Sequence, residues 1–171
     1  VKGLSNVANA LPWVALGGAT IAALDGSDPR RSRTGYAAAE AGVVAGLAAT
    51  GLKYAFGRAR PDSGLGTTSF EPGSTASTHG SFPSRHVAVA WAVATPFARE
   101  YDANWLYGVA ALTNLGRITS RAHWVSDTVG GSLLGYAIGR LFWEASRKPQ
   151  SQGVPRVLLN PSGVSLAWDL E

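Results

Sequence analysis

Apolar stretches alternate with short polar interruptions along most of this chain, and the spacing of the interruptions predicts helices. The apolar stretches are rich in Ala, Gly, Val and Leu, and the segments between them hold the Gly, Pro, Asp and Ser residues that mark turns. The pattern predicts five helices, over about 7–24, 34–56, 84–99, 103–118 and 125–146. Pro61 disfavours helical geometry at Arg60, so the second helix is expected to end by that position.

Two segments depart from the helical pattern. Residues 61–83 are rich in Gly, Ser, Thr and Pro, and a loop of this length inside a compact domain is usually functional or disordered. After Pro149, strand-like runs at 157–159 and 164–168 flank a turn at 160–163. The C-terminal residues are therefore predicted to form a small β-hairpin.

Length and composition fit one helical domain. The chain has 171 residues, enough for a sizeable core, and 46% of them are hydrophobic whereas 15% are charged. Gly42 and Gly46 lie four apart and would permit close contact with a neighbouring helix. We therefore expect an all-α bundle of about five or more helices over residues 1–148. Residues 149–171 would form a tail whose hairpin packs on the same domain.

The balance of charge points to anionic partners. The formal net charge is +4 and the isoelectric point is about 9.8, which favours phosphorylated substrates, an anionic membrane surface or nucleic acid. The chain has no extended basic run and no nucleic-acid motif, so we expect no nucleic-acid partner. A membrane-spanning helix needs about 20 mostly apolar residues. No stretch clearly meets that requirement, although peripheral contact with a membrane fits the composition.

The first patch of candidate chemistry holds two cations near the end of the second predicted helix. Six residues separate Lys53 from Arg60-Pro61. Seven positions are close to two helical turns, so both cations could lie on one side of a helix end. Arg presents a planar fork to phosphate oxygens, and Lys presents a point charge. Alone, the patch also fits two solvated cations at a helix terminus, and Arg58 is expected to be solvated.

The second patch is Pro83-Ser84-Arg85-His86, at the predicted start of the third helix. Ser84 suits an N-cap, and the free backbone N–H groups at such a start bind anions. The Ser84 hydroxyl can add a hydrogen bond, Arg85 can add a cation, and His86 can deliver a proton near neutral pH. Alone, the patch also fits an ordinary capped helix with a surface histidine.

The third patch begins at Arg117 and continues to His123 and Asp127. His123 and Asp127 are four apart and therefore adjacent on one helical face. A carboxylate that accepts from one imidazole nitrogen fixes the tautomer and leaves the other nitrogen free to attack. Arg117 could reach the same anion. Alone, the pair also fits a His–Asp contact that only stabilises a helix.

Other polar residues give little support to metal or thiol chemistry. Cysteine is absent, so disulfides and thiolate metal sites are excluded. His79 lies in the long loop and is expected to be a polar loop residue. Histidines and carboxylates show no spacing typical of metal ligands, so we expect a site without metal or cofactor.

Together the three patches resemble the type 2 phosphatidic acid phosphatase superfamily, which also contains bacterial class A acid phosphatases and vanadium haloperoxidases. The family pattern is Lys, six residues, Arg-Pro; then Pro-Ser-Gly-His; then Ser-Arg, five residues, His, three residues, Asp. Residues 53–127 carry the corresponding motifs here. Two positions depart from the pattern, because Arg85 stands in place of glycine and Gly116 in place of serine. These changes could alter affinity or the position of a loop, but neither removes a charged catalytic residue.

The resemblance implies roles for the residues of the motifs. His123 would attack phosphorus and form a phosphohistidine, and Asp127 would orient it. His86 would protonate the leaving oxygen and then help to activate water. Five positions would hold the phosphate oxygens, namely Lys53, Arg60, Ser84, Arg85 and Arg117.

The resemblance thus predicts a metal-independent phosphatase for phosphomonoesters or pyrophosphates, with a lipid phosphate or a soluble ester as substrate. A vanadate-dependent haloperoxidase and a non-catalytic phosphate- or lipid-binding module are the alternatives. The chain contains no methionine, so residues ahead of Val1 are expected to have been lost. A cleaved export signal, removal of the initiator methionine or trimming would each account for this. The family favours an exported, periplasmic protein that could associate with a membrane.

Overall fold

In the part of the chain that the structure describes, five α-helices form a bundle, which confirms the all-α prediction. The computed structural model describes residues 2–148, 156–160 and 163–167. The helices are α1 (Lys2–Leu24), α2 (Pro29–Phe56), α3 (Arg85–Glu100), α4 (Trp105–Thr119) and α5 (Val125–Arg147). No helix among the described residues is both long enough and apolar enough to cross a bilayer.

The first two helices begin earlier than the apolar pattern predicts. Helix α1 starts at Lys2 rather than near Val7. The prediction placed the start at the beginning of the apolar stretch, but a helix can begin in residues that do not follow the apolar pattern. Helix α2 starts at Pro29 rather than near Thr34. Asp28 caps it by accepting from the backbone N–H of Arg30 at 2.9 Å, and proline suits a first helical position.

The predicted C-terminal hairpin is present in the described residues. Strands β1 (Arg156–Asn160) and β2 (Gly163–Ala167) pair in antiparallel fashion, with Asn160 opposite Gly163. The two central turn residues and Trp168, which was expected to end the second strand, lie outside the described residues. The division of the chain at residues 148 and 149, and the packing of the hairpin on the helices, stay predictions.

Helix α3 is the centre of the bundle, since it contacts each of the other four helices. Its contacts are close because the facing residues are small. Ala41, Ala45 and Ala49 of α2 form a buried cluster with Ala88 and Ala92 of α3. Burying alanine adds little apolar area per residue, but it allows the backbones to approach and increases dispersion contacts.

Glycines on α5 make its approach to α3 closer still. Gly131, Gly135 and Gly139 recur every four residues and face the backbone of α3. A Cβ atom on Gly135 would lie 2.2 Å from the carbonyl oxygen of Ala88. The contact between α3 and α5 therefore excludes side chains at these positions, and it fixes the start of α5 relative to the start of α3.

A buried carboxylate stabilises the end of the bundle away from the motif residues. The Glu100 side chain is 4% exposed and accepts from Arg30 at 2.8 Å and from Arg33 at 3.1 Å. The indole nitrogen of Trp143 donates to its other oxygen at 2.9 Å. These contacts connect α2 and α5 to the end of α3.

We expect Gly135→Ala to lower the free energy of unfolding by about 1–3 kcal/mol, since the new methyl group overlaps the α3 backbone. Gly108→Ala is the matched control, because a Cβ there meets nothing within 4 Å and alanine favours a helix by about 1 kcal/mol. Urea unfolding of both variants measures the difference. Equal effects would contradict the close approach of α3 and α5.

Candidate functional site

Six of the eight predicted site residues line one cavity of about 240 Å³. They are Lys53, Arg60, Arg85, His86, Arg117 and His123. The other two, Ser84 and Asp127, are completely buried and do not line it. The three sequence patches are thus adjacent in space, although the assignment of catalytic and binding roles stays a prediction.

The long loop at 61–83 forms part of the cavity wall. Its residues at the wall are Ser74, Thr75, Ala76, Ser77 and Gly80. Backbone hydrogen bonds fix the loop to the segment after α2: Glu71 donates to Gly57 at 2.8 Å, and Arg60 donates to Thr78 at 2.8 Å. The loop is therefore an ordered part of the site.

Lys53 and Arg60 reach the cavity by a route that differs from the predicted one. Helix α2 ends at Phe56, where Gly57 adopts a left-handed conformation with φ of 54° and terminates the helix. The prediction that both cations share one side of a helix end is therefore wrong. Arg60 follows in extended backbone, and its guanidinium lies 3.4 Å from the Gly80 carbonyl, to which Lys53 also donates.

The cations at the cavity repel one another. Burial, with the neighbouring charges of Arg60 and Arg85, lowers the pKa of Lys53 to about 7. Burial and the charge of Arg60 also lower the pKa of Arg117. Arg117 is 9% exposed, and its guanidinium donates to Asn9 of α1. An anion in the cavity would relieve this repulsion.

His123 is fixed by a backbone carbonyl rather than by the predicted carboxylate. Its Nδ1 lies 2.7 Å from the Ser81 carbonyl oxygen, whereas the nearest Asp127 oxygen is 3.8 Å away, beyond hydrogen-bond distance. A carbonyl only accepts, so Nδ1 carries the proton and Nε2 has a free lone pair. Burial is the main cause that lowers the pKa of His123 to about 4; Asp127 opposes this shift, and the charges of Lys53 and Arg117 add to it.

The carboxylate of Asp127 accepts hydrogen bonds from three groups around the site. One oxygen accepts from the Ser81 hydroxyl at 2.5 Å and the Trp124 backbone N–H at 2.8 Å, and the other from Arg58 at 2.6 Å. Burial opposes ionisation, but His123 and these hydrogen bonds hold the pKa of Asp127 below its usual value. The Arg58 side chain is only 13% exposed, so the prediction that Arg58 is solvated is wrong.

Ser84 and His86 occupy the start of α3 as predicted, with two differences. Ser84 is the N-cap residue, but its hydroxyl makes no capping hydrogen bond. His86 lies against the edge of Trp13 of α1, with ring centroids 5.9 Å apart. Burial and the charges of Arg117 and Arg85 lower the pKa of His86 to about 4. Among protein groups alone it is therefore neutral at pH 7.

Two unpartnered donors of cavity-lining residues, the Nε atoms of Arg60 and Arg117, give the strongest structural sign of an anion site, and the Ser84 hydroxyl, which does not line the cavity, is also unpartnered. Among the described residues, the buried side-chain atoms without a hydrogen-bond partner include Nε of Arg60, Oγ of Ser84 and Nε of Arg117. Leaving a buried donor unsatisfied costs about 1–3 kcal/mol, and more for a charged one. An oxyanion would supply acceptors where the protein has none.

The local backbone accommodates Arg85 and Gly116, the two residues that depart from the motif pattern. Arg85 opens α3 in helical geometry and does not have a positive φ, so glycine is not required there. Arg85 is exposed while it lines the cavity. Gly116 is buried within α4, and its carbonyl accepts from the Ser120 backbone N–H at 3.1 Å.

Four residues that contact the site were missed by sequence reasoning: Arg58, Ser81, Asn9 and Trp13. Ser81 stands two residues before Pro83, so its proximity to a motif was the one available signal. Asn9 and Trp13 lie on α1, far from every motif in sequence. His79, by contrast, is near Glu71 at 3.5 Å and does not line the cavity, which is consistent with a polar loop residue.

Comparisons with known proteins agree with this arrangement. A family model described as PAP2 superfamily matches residues 35–150. Lipid A 1-phosphatase of Porphyromonas gingivalis is 39% identical over 98 residues, which is 53% of this chain and 19% of that protein. The chain therefore spans about a fifth of the length of this curated relative. No solved structure matches the chain significantly.

We expect inorganic phosphate and orthovanadate to raise the melting temperature, because each supplies acceptors to the unpartnered donors. At a concentration of about 100 times Kd the stabilisation would be about 2.7 kcal/mol. Arg60→Gln should remove most of the shift. Arg121→Gln, which changes the same charge at an exposed position outside the cavity, should retain it. Calorimetry at constant ionic strength measures both, and equal shifts in both variants would contradict the site.

Proposed function

Because the chain belongs to the PAP2 superfamily, we propose that it is a metal-independent phosphatase that hydrolyses phosphomonoesters or pyrophosphates. The observation that carries this proposal is one cavity in which a neutral, oriented imidazole faces unpartnered cationic donors. The similarity to a lipid A 1-phosphatase supports a lipid phosphate as the substrate class. Action at a membrane surface outside the cytoplasm is part of the same proposal.

Lys53, Arg60 and Arg117 would hold the non-bridging oxygens of the phosphoryl group. Their positive charges stabilise the charge that spreads over these oxygens in the transition state. Arg85 would contribute from the exposed side, and the Ser84 hydroxyl would donate if the bound phosphate reaches it. The charge that a metal ion supplies in other phosphatases is here supplied by guanidinium and ammonium groups.

His123 would be the nucleophile. With its Nδ1 proton held by the Ser81 carbonyl, its Nε2 lone pair is free to form a bond to phosphorus. As that bond forms, the bond from phosphorus to the leaving oxygen breaks, and the electron pair passes to the leaving oxygen. The imidazole needs no prior deprotonation, because its pKa of about 4 leaves it neutral at pH 7.

His86 would move the proton in both steps. A bound phosphate dianion offsets the charges of Arg117 and Arg85 that lower the pKa of His86, so the imidazole gains a proton in the complex. That proton passes to the leaving oxygen. Water then attacks the phosphohistidine, its proton returns to His86, and the electron pair of the broken P–N bond returns to Nε2 of His123.

We expect His123→Ala to reduce kcat by at least about a thousandfold, since alanine has no lone pair to bond to phosphorus. The variant should keep its phosphate-induced shift in melting temperature, because the cations remain. Quenching the wild type in alkali during turnover of a labelled substrate should trap the phosphohistidine. Near-normal turnover by His123→Ala would refute the proposal that His123 is the nucleophile. Loss of activity in EDTA that a divalent metal restores would refute the metal-free mechanism.

A substrate panel separates lipid from soluble esters. It compares p-nitrophenyl phosphate, phosphatidic acid, phosphatidylglycerol phosphate, undecaprenyl pyrophosphate and lipid A, with vanadate as the inhibitor. Hydrolysis that vanadate inhibits supports the phosphatase. Binding of vanadate without hydrolysis of any compound would instead support a non-catalytic binding module.

We expect kcat/KM to fall above about pH 7 as Lys53 loses its proton, because kcat/KM reports the free enzyme. Lys53 is charged below its pKa, and phosphate binding requires that charge. Above the pKa, the charged fraction of Lys53, and kcat/KM with it, falls roughly tenfold per pH unit. Lys53→Arg should remove this decline, since arginine stays protonated to above about pH 12. Lys148→Arg is the exposed control and should leave the pH profile unchanged.

A further inference from the structure

A second cavity, of about 420 Å³, lies between α1, α3 and α4. The residues that line it include Leu11 and Gly18 of α1, Ala90 and Phe97 of α3, and Leu106 and Val109 of α4. No charged side chain is among the described residues that line it. We refer to this cavity as the apolar groove.

The apolar groove begins about one helical turn from the cationic cavity. Ala90 follows His86 by four residues on α3, which is roughly 6 Å along the helix axis. Leu11 lies between Asn9, which contacts Arg117, and Trp13, which contacts His86. The same stretch of α1 therefore borders both cavities.

From that end the apolar groove runs away from the cationic cavity along the bundle. Ala90 and Phe97 are seven residues apart on α3, which is roughly 10 Å along the axis. Gly18 follows Leu11 by the same number of residues on α1. An apolar surface that begins about one helical turn from a cluster of cations is complementary to an amphiphile with an anionic headgroup and a hydrocarbon tail.

We propose that the apolar groove binds a hydrocarbon chain of a lipid phosphate whose headgroup occupies the cationic cavity. The assignment rests on the proposed phosphatase function, and it extends that function from the phosphate to the remainder of the substrate. Binding of the chain lowers KM, since burial of each methylene strengthens association by about fourfold. Alanine and glycine at the groove leave room for the chain.

Two adjacent glycines of α1 provide a matched test. Gly17 and Gly18 are both exposed, and a Cβ at either position meets nothing within 4 Å, so a side chain leaves the backbone of α1 without a clash. Gly18 lines the apolar groove, whereas Gly17 does not. Gly18→Trp therefore fills the groove, and Gly17→Trp adds the same side chain outside it.

The experiment measures binding of methyl, butyl and octyl phosphonates, which the enzyme cannot hydrolyse, by calorimetry below their micelle concentrations. The octyl compound should bind the wild type and Gly17→Trp at least about a hundredfold more tightly than the methyl compound. Gly18→Trp should lose most of this difference and bind methylphosphonate normally. Affinity that is independent of chain length, or equal losses in both variants, would overturn the proposal.

Hydrolysis of octyl phosphate and methyl phosphate separates this proposal from the proposed function. If both esters are hydrolysed and chain length has no effect on KM or on phosphonate affinity, the groove assignment fails and the phosphatase stands. If neither ester is hydrolysed but phosphonate affinity rises with chain length and falls in Gly18→Trp, the phosphatase fails and the groove stands.

Discussion

A buried carboxylate holds the three motif segments in one place. Asp127 is ionised and completely buried, a state that costs several kcal/mol unless the charge is paired and hydrogen-bonded. Its partners come from three segments: Arg58 follows α2, Ser81 ends the long loop, and Trp124 precedes α5. The Ser84 backbone N–H also donates to the Asp127 carbonyl, which attaches the start of α3. Since removing a partner of the carboxylate would leave a buried charge under-compensated, the segments that supply these partners are held together.

Ser81 connects this carboxylate to the imidazole of His123. Its hydroxyl donates to Asp127, while its carbonyl lies against Nδ1 of His123. The carboxylate therefore positions the imidazole indirectly, through Ser81. Its negative charge is also paired with Arg58. On the other side, Lys53, Arg60 and Arg117 are held close together although they repel one another. The mutual repulsion of these cations would be relieved by a bound anion.

The fold was accessible from the sequence because its helices are encoded locally. Short polar interruptions of the apolar pattern gave the approximate ends of α3, α4 and α5, whereas the starts of α1 and α2 lie earlier than apolar periodicity alone predicts. Motif spacing selected the residues that line the cavity. It could not describe how they reach it, because Arg60 lies beyond the end of α2 and Asp127 is satisfied by groups distant in sequence. Local helical geometry predicted a contact between His123 and Asp127 that the Ser81 carbonyl replaces.

Helix α1 lies wholly outside the stretch at 35–150 that matches the family, yet it completes the site. Asn9 and Trp13 cover Arg117 and His86 on one side. A protein trimmed to the family stretch would retain every motif residue, but water would enter beside the two cavities and raise the local dielectric constant. Each charge–charge interaction there would weaken, with no change in the catalytic groups themselves. Helix α1 therefore sets the dielectric surroundings of both cavities without contributing a motif residue.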